Sequence, residues 1–173
     1  MILMVIGIFF MSLSAIHWYL RYQALSLDKE LLAQYASYEI AGAEKRPVQI
    51  KIPWFVDVAI SQQILIDNQW TIAEKEASYL ANSARLGEAG NIIIYGHNTR
   101  QILGNIRALK GNEIITLTSA EGKEYLYQVS EIAEVDPNQT KYLLPTEEEV
   151  LTLYTCSGFM DQKRFIVRAK PLL

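Results

Sequence analysis

Three residues in this chain have the types and order that nucleophilic catalysis needs. Cys156 is the only cysteine among 173 residues, and it closes the stretch Thr152-Leu153-Tyr154-Thr155-Cys156. Of two histidines, His17 lies in an N-terminal apolar segment, which leaves His97, in Tyr95-Gly96-His97-Asn98, as the imidazole open to the rest of the protein. Arg164 follows the thiol. A thiolate attacks carbonyl carbon, an imidazole gives and takes protons, and a guanidinium that never loses its charge steadies an oxyanion. The plain alternative for Cys156 is a buried structural role, the common fate of a free cysteine.

Each of these side chains needs an element to hold it. Asn91-Ile92-Ile93-Ile94-Tyr95 is continuous and apolar between Gly90 and Gly96, so His97 follows a strand. Leu151 to Thr155 and Phe165 to Ala169 read as two further strands, with the loop Ser157 to Lys163 between Cys156 and Arg164. If those strands pair antiparallel, Cys156 and Arg164 come to the same end of the sheet, while Arg168 lies about 13 Å farther along. Alternation puts Val150, Thr152 and Tyr154 on the face of Cys156, and Leu153 and Thr155 on the other. Val48 to Ile52, Val56 to Ile60, Glu113 to Thr118 and Glu124 to Val129 are the remaining strand runs. Short helices are expected around Thr71–Ala81, Ile102–Leu109 and Thr146–Glu149. Many short strands joined by Gly, Asn and Pro turns describe a mainly β domain, a barrel or a sandwich.

The chain ahead of this domain has a different texture. Residues 1–20, MILMVIGIFFMSLSAIHWYL, carry no formally charged side chain, and twenty helical residues span roughly 30 Å, the thickness of a bilayer core. Trp18, Tyr19 and Tyr22 stand at the end of the run, where amphipathic rings favour the interface. The expectation is an uncleaved signal anchor; the alternative is a signal peptide cleaved near Leu13-Ser14-Ala15. Residues 21–47 read as a helical stalk, with Leu27, Leu31, Tyr35 and Tyr38 on one stripe, leaving 48–173 as the catalytic domain. That topology places the domain outside the cytoplasm, where a single thiol cannot form an internal disulfide and stays open to oxidation. A net charge of -3 leaves no basic footprint for nucleic acid, and no CxxC or His-rich spacing suggests a metal.

These residues together resemble the sortases, the membrane-anchored cysteine transpeptidases of bacterial surfaces. The family's TLxTC strand end is matched in full by Thr152-Leu153-Tyr154-Thr155-Cys156. Its strand-Gly-His is matched by Asn91 to His97, and its arginine at the head of an apolar strand by Arg164-Phe165-Ile166-Val167. Weaker echoes fill the gaps: Leu109-Lys110-Gly111-Asn112-Glu113-Ile114, Tyr125-Leu126-Tyr127-Gln128-Val129 and Leu143-Leu144-Pro145-Thr146.

The resemblance implies a closed β-barrel of about eight strands with short helices. It implies Cys156 as the nucleophile that carries a thioacyl group, His97 as general acid and base, and Arg164 as the oxyanion or substrate support. Thr155 and Asn98 are the implied substrate contacts, and no cofactor or metal is expected. Partners would be proteins with an LPxTG-like sorting signal and an amine from a peptidoglycan precursor or a pilin, at the bacterial cell membrane. Ser157-Gly158-Phe159 stands where many members have Pro soon after the cysteine. The stretch 81–90 has only Glu88 where calcium-activated members carry an acidic cluster, so no calcium dependence is expected. With no second apolar span before Leu173, the resemblance leans to classes A, D or E over the pilin-polymerising class C. Two other readings stand beside it: a hydrolase that resolves the thioester with water, and a tethered binding module with no catalysis.

Overall fold

The computed structural model describes residues 11, 12, 15, 43–63, 65, 66, 69, 70 and 71–172. The expected anchor, apart from residues 11, 12 and 15, and the expected stalk up to residue 42 lie outside the described residues. Among those described, no helix is long and apolar enough to cross a membrane.

Eight strands close into a barrel. In chain order they are β1 (Pro47–Ile52), β2 (Val56–Gln63), β5 (Ala77–Leu80), β6 (Asn91–Gly96), β7 (Ile114–Ser119), β8 (Glu124–Val135), β9 (Val150–Ser157) and β10 (Lys163–Pro171). A two-stranded ribbon, β3 (Leu65–Ile66) and β4 (Gln69–Trp70), stands apart from it. Around the barrel the order is β1-β2-β5-β6-β9-β10-β8-β7, and β7 returns to β1. Two of the pairings, β2 with β5 and β6 with β9, are parallel; the rest are antiparallel. Closure removes free sheet edges, which an eight-strand barrel filled by its own side chains can do.

The interior comes from the alternate residues of each strand. Ile50, Ile92, Leu117, Leu151 and Leu153 are all fully buried in one cluster. A second, smaller cluster forms on the outer face of the wall, where Leu80, Ile93 and Tyr95 meet Leu143 and Tyr154. The two clusters explain why Asn91–Gly96 has no alternation in sequence: both faces of β6 are covered, and all six residues are buried.

Several elements differ from expectation. Residues 77–80 form a strand where a helix was expected; pairing with β2 on one side and β6 on the other overrides the helix-forming Glu74-Lys75-Glu76 before it. The helix expected at 146–149 is absent, and a 3-10 turn sits earlier, at Thr140–Leu143, ahead of Pro145. The helix expected at 102–109 is a 3-10 turn, Gly104–Ala108. Strands β9 and β10 each run farther than their apolar cores suggested, which shortens the loop between Cys156 and Arg164 to residues 158–162.

Candidate active site

Strands β6, β9 and β10 are consecutive neighbours in the barrel, and their adjoining ends bring His97, Cys156 and Arg164 together. In the parallel β6–β9 pair the last rung is Gly96 with Thr155, so His97 and Cys156 each lie one residue beyond it. Neighbouring strands stand about 4.8 Å apart. In the antiparallel β9–β10 pair Arg164 is directly opposite Cys156, so both side chains share a face. That face is the outer one, because Leu151 and Leu153 fill the interior and Tyr154 joins the outer cluster. Arg168 pairs with Thr152, four residues from the thiol, and forms an ion pair with Glu131 at 3.6 Å. All three candidate residues are half-buried.

The chain after His97 is drawn back onto the barrel at once. Leu103 N–H donates to the His97 carbonyl at 3.3 Å, and Gly104 N–H to the Thr99 carbonyl at 2.7 Å. Ile102, Leu103 and Ile106 then enter the core. Gly96 is the residue that allows this: a Cβ there would lie 2.8 Å from Ile102 Cγ2 and 3.3 Å from Leu103 Cδ1. The glycine of the Gly-His pair is therefore required by close approach.

Arg164 is fixed by three acceptors. Its Nε donates to the Tyr154 phenol oxygen at 3.0 Å, and its Nη1 to the carbonyls of Asp161 at 2.7 Å and Lys163 at 2.9 Å. The loop that offers the Asp161 carbonyl is tightly wound, with Gly158, Met160 and Asp161 all at positive φ. Left-handed backbone at non-glycine residues costs energy and is tolerated where the surroundings impose it. Phe159 and Met160 project from this loop into solvent, each about 80 % exposed.

The other two implied contacts are placed differently from each other. Thr155 is buried, and its hydroxyl donates to the Gly96 carbonyl at 2.8 Å, which ties the two reactive strands at their last rung. Asn98 follows His97, half-buried, and its Oδ1 is buried without a hydrogen-bond partner.

Residues 142–146 roof the outer wall toward the other end of β6, where Asn91 pairs with Val150. Asn91, at the start of β6, holds them down: its Nδ2 donates to the carbonyls of Tyr142 at 2.9 Å and Leu144 at 3.0 Å, while its Oδ1 accepts from the Thr152 hydroxyl at 2.7 Å. A cleft of about 350 Å³ opens there, with Leu80, Ile93, Leu143 and Pro145 as its apolar lining. A larger cleft of about 550 Å³, lined by Glu131, Glu148, Arg168 and Lys170, lies along the far part of β10, and neither cleft includes any of the three candidate residues. Among the described residues, no group of three or more His, Cys, Asp or Glu is placed to hold a metal ion.

Sequence reasoning passed over Asn91 and Tyr154. A polar residue opening a strand reads as a turn signal, and Tyr154 occupies the open position of the TLxTC pattern. Its only visible signal was sharing a face with Cys156.

The family model described as a sortase domain matches residues 50–172. The chain belongs to the sortase family. Among solved structures it is similar to a lid mutant of sortase A from Corynebacterium diphtheriae, at 27% identity and TM-score 0.63, over 74% of this chain and 72% of that one. It is equally similar to a sortase D5 transpeptidase from Clostridium perfringens, at 27% identity and TM-score 0.64, over 74% and 79% of the two chains. Sortase C-1 from Actinomyces oris shares the fold at 21% identity and TM-score 0.66, over 82% of each. A comparison with curated protein sequences returned no match. As a sortase the chain is a cysteine transpeptidase, and Cys156 is its only cysteine.

Proposed function

We propose that this sortase cleaves an LPxTG-type sorting motif between Thr and Gly and passes the acyl group to an amine of the cell envelope. The Cys156 thiolate attacks the threonine carbonyl carbon, and the tetrahedral oxyanion collapses as His97 protonates the departing glycine amine. The C–N bond is broken and a thioester to Cys156 remains. An incoming amine then attacks the thioester, His97 takes its proton, and the thiol is released. Arg164 steadies the oxyanion or the substrate backbone. Asn98, next in the chain to His97, lines the substrate site. Residues 1–20 serve as a membrane anchor and 21–47 as a stalk, so that 48–173 work outside the cytoplasm. Relatedness to the class A, D or E enzymes, above class C, belongs to the same proposal.

The observation that carries this reading is the run of three adjacent strand ends on β6, β9 and β10, which gathers the thiol, the imidazole and the guanidinium at one end of one wall. The test is turnover of a panel of LPxTG-variant peptides by residues 43–173, with and without an added amine. Cys156→Ala and His97→Ala are expected to abolish cleavage, and Arg164→Ala to lower kcat by about 10²- to 10³-fold. Full activity in any one variant removes that residue from the mechanism. Hydrolysed product alone, even with amine present, would favour the hydrolase.

A further inference from the structure

We infer that Tyr154 is a positioning residue: its phenol holds the Arg164 guanidinium toward Cys156, so that the arginine meets the substrate already oriented. The inference deepens the proposed function and rests on Arg164 having a part in it.

The TLxTC pattern leaves the position of Tyr154 open, so family membership assigns it nothing. The side chain sits directly across β9–β10 from Ile166 and across β6–β9 from Tyr95, and it packs with Leu80, Ile93, Tyr95 and Leu143. A ring held on those sides presents its hydroxyl in one place. That hydroxyl accepts the Nε–H of Arg164 at 3.0 Å, a bond strengthened by the arginine's charge. The Asp161 and Lys163 carbonyls take Nη1. Among the described residues Nη2 makes no hydrogen bond, and it is left for a substrate oxygen. A guanidinium on a long stem loses much freedom when it docks, and a partner that holds it beforehand removes that cost from the transition state. The carbonyl of Asp161 is presented by the left-handed backbone of Met160 and Asp161, at φ 51° and 59°. Backbone and phenol thus converge on the same cation.

Tyr154→Phe keeps the ring and its packing while deleting the acceptor. The full chain is compared as wild type, Y154F, R164A and the double variant, with a fluorogenic LPxTG-type peptide and an added amine. Y154F is expected to lower kcat about tenfold with KM changed less than about twofold, the effect of one hydrogen bond to a charged group. In the R164A background Y154F is expected to cost nothing further. In 15N-labelled protein without peptide, the Arg164 Nε–H signal should shift and exchange faster in Y154F. Wild-type kcat in Y154F, or the same loss in both backgrounds, overturns the positioning role. A wild-type rate in R164A instead overturns the arginine's part in the reaction, while an unmoved Nε–H signal in Y154F overturns the tie itself, so the two failures are distinguishable.

Discussion

Asn91 joins β6, β9 and the roof over the outer cleft through three hydrogen bonds. Asn91→Ala leaves the Tyr142 and Leu144 carbonyls and the Thr152 hydroxyl without their partner. Destabilisation of about 2–4 kcal/mol is expected in urea titration. One thiol, one unclaimed imidazole and an arginine at the head of a strand could be picked out from the sequence by type and order; Asn91, a common residue whose partners are distant in the chain, could not. Glu113 shows how charge serves the fold. Some desolvation raises its pKa, but the N–H groups of Lys110 and Gly111, each at 2.8 Å, outweigh this and hold it below the usual glutamate range. A lowered folded pKa means that the stabilisation is complete above the unfolded value, near pH ~4.3, and is lost as pH falls through the folded value. Glu113→Gln should therefore flatten the stability-against-pH curve below about pH 4.3; an unchanged acid limb would count against this account.

At the scale of elements, the sequence carried most where packing demanded something unusual of it. The unbroken apolar run of β6 is the mark of a strand covered on both faces, by the interior cluster and by the outer one around Tyr95. Strand β5 was misread because only four residues form it and their burial comes from distant neighbours, β2 and β6. The expected helix before β9 failed for a related reason: distant partners claim the stretch, Glu149 accepting from the Gly87 N–H and the Tyr127 hydroxyl and the Glu148 carbonyl from the Gly90 N–H. Gly96 is the clearest element-level requirement. Gly96→Ala would push its methyl into Ile102 and Leu103, so β6 must part from the segment after His97. Overpacking of this kind typically costs about 1–3 kcal/mol, and the thermal midpoint of the variant should fall accordingly. Because the displaced segment begins at His97, kcat should fall as well, beyond what the unfolded fraction explains.

On the scale of the whole molecule, the strand order has a consequence of its own. The exposed turn between β7 and β8, around Glu121 and Gly122, divides the barrel into two unbroken arcs, β7-β1-β2-β5-β6 and β9-β10-β8. His97 belongs to the first arc; Cys156 and Arg164 belong to the second. The arcs meet along two seams, β7 against β8 and β6 against β9, and the second seam is the one at whose end the reactive residues face each other. A chain cut between residues 121 and 122 should therefore yield two fragments, each without peptide cleavage, whose mixture recovers it as the seams close. Peptide turnover against fragment concentration measures that recovery, and activity from the second fragment alone would rule it out. The reaction centre is in effect a joint between two pieces of wall, and assembling the wall is what assembles the chemistry.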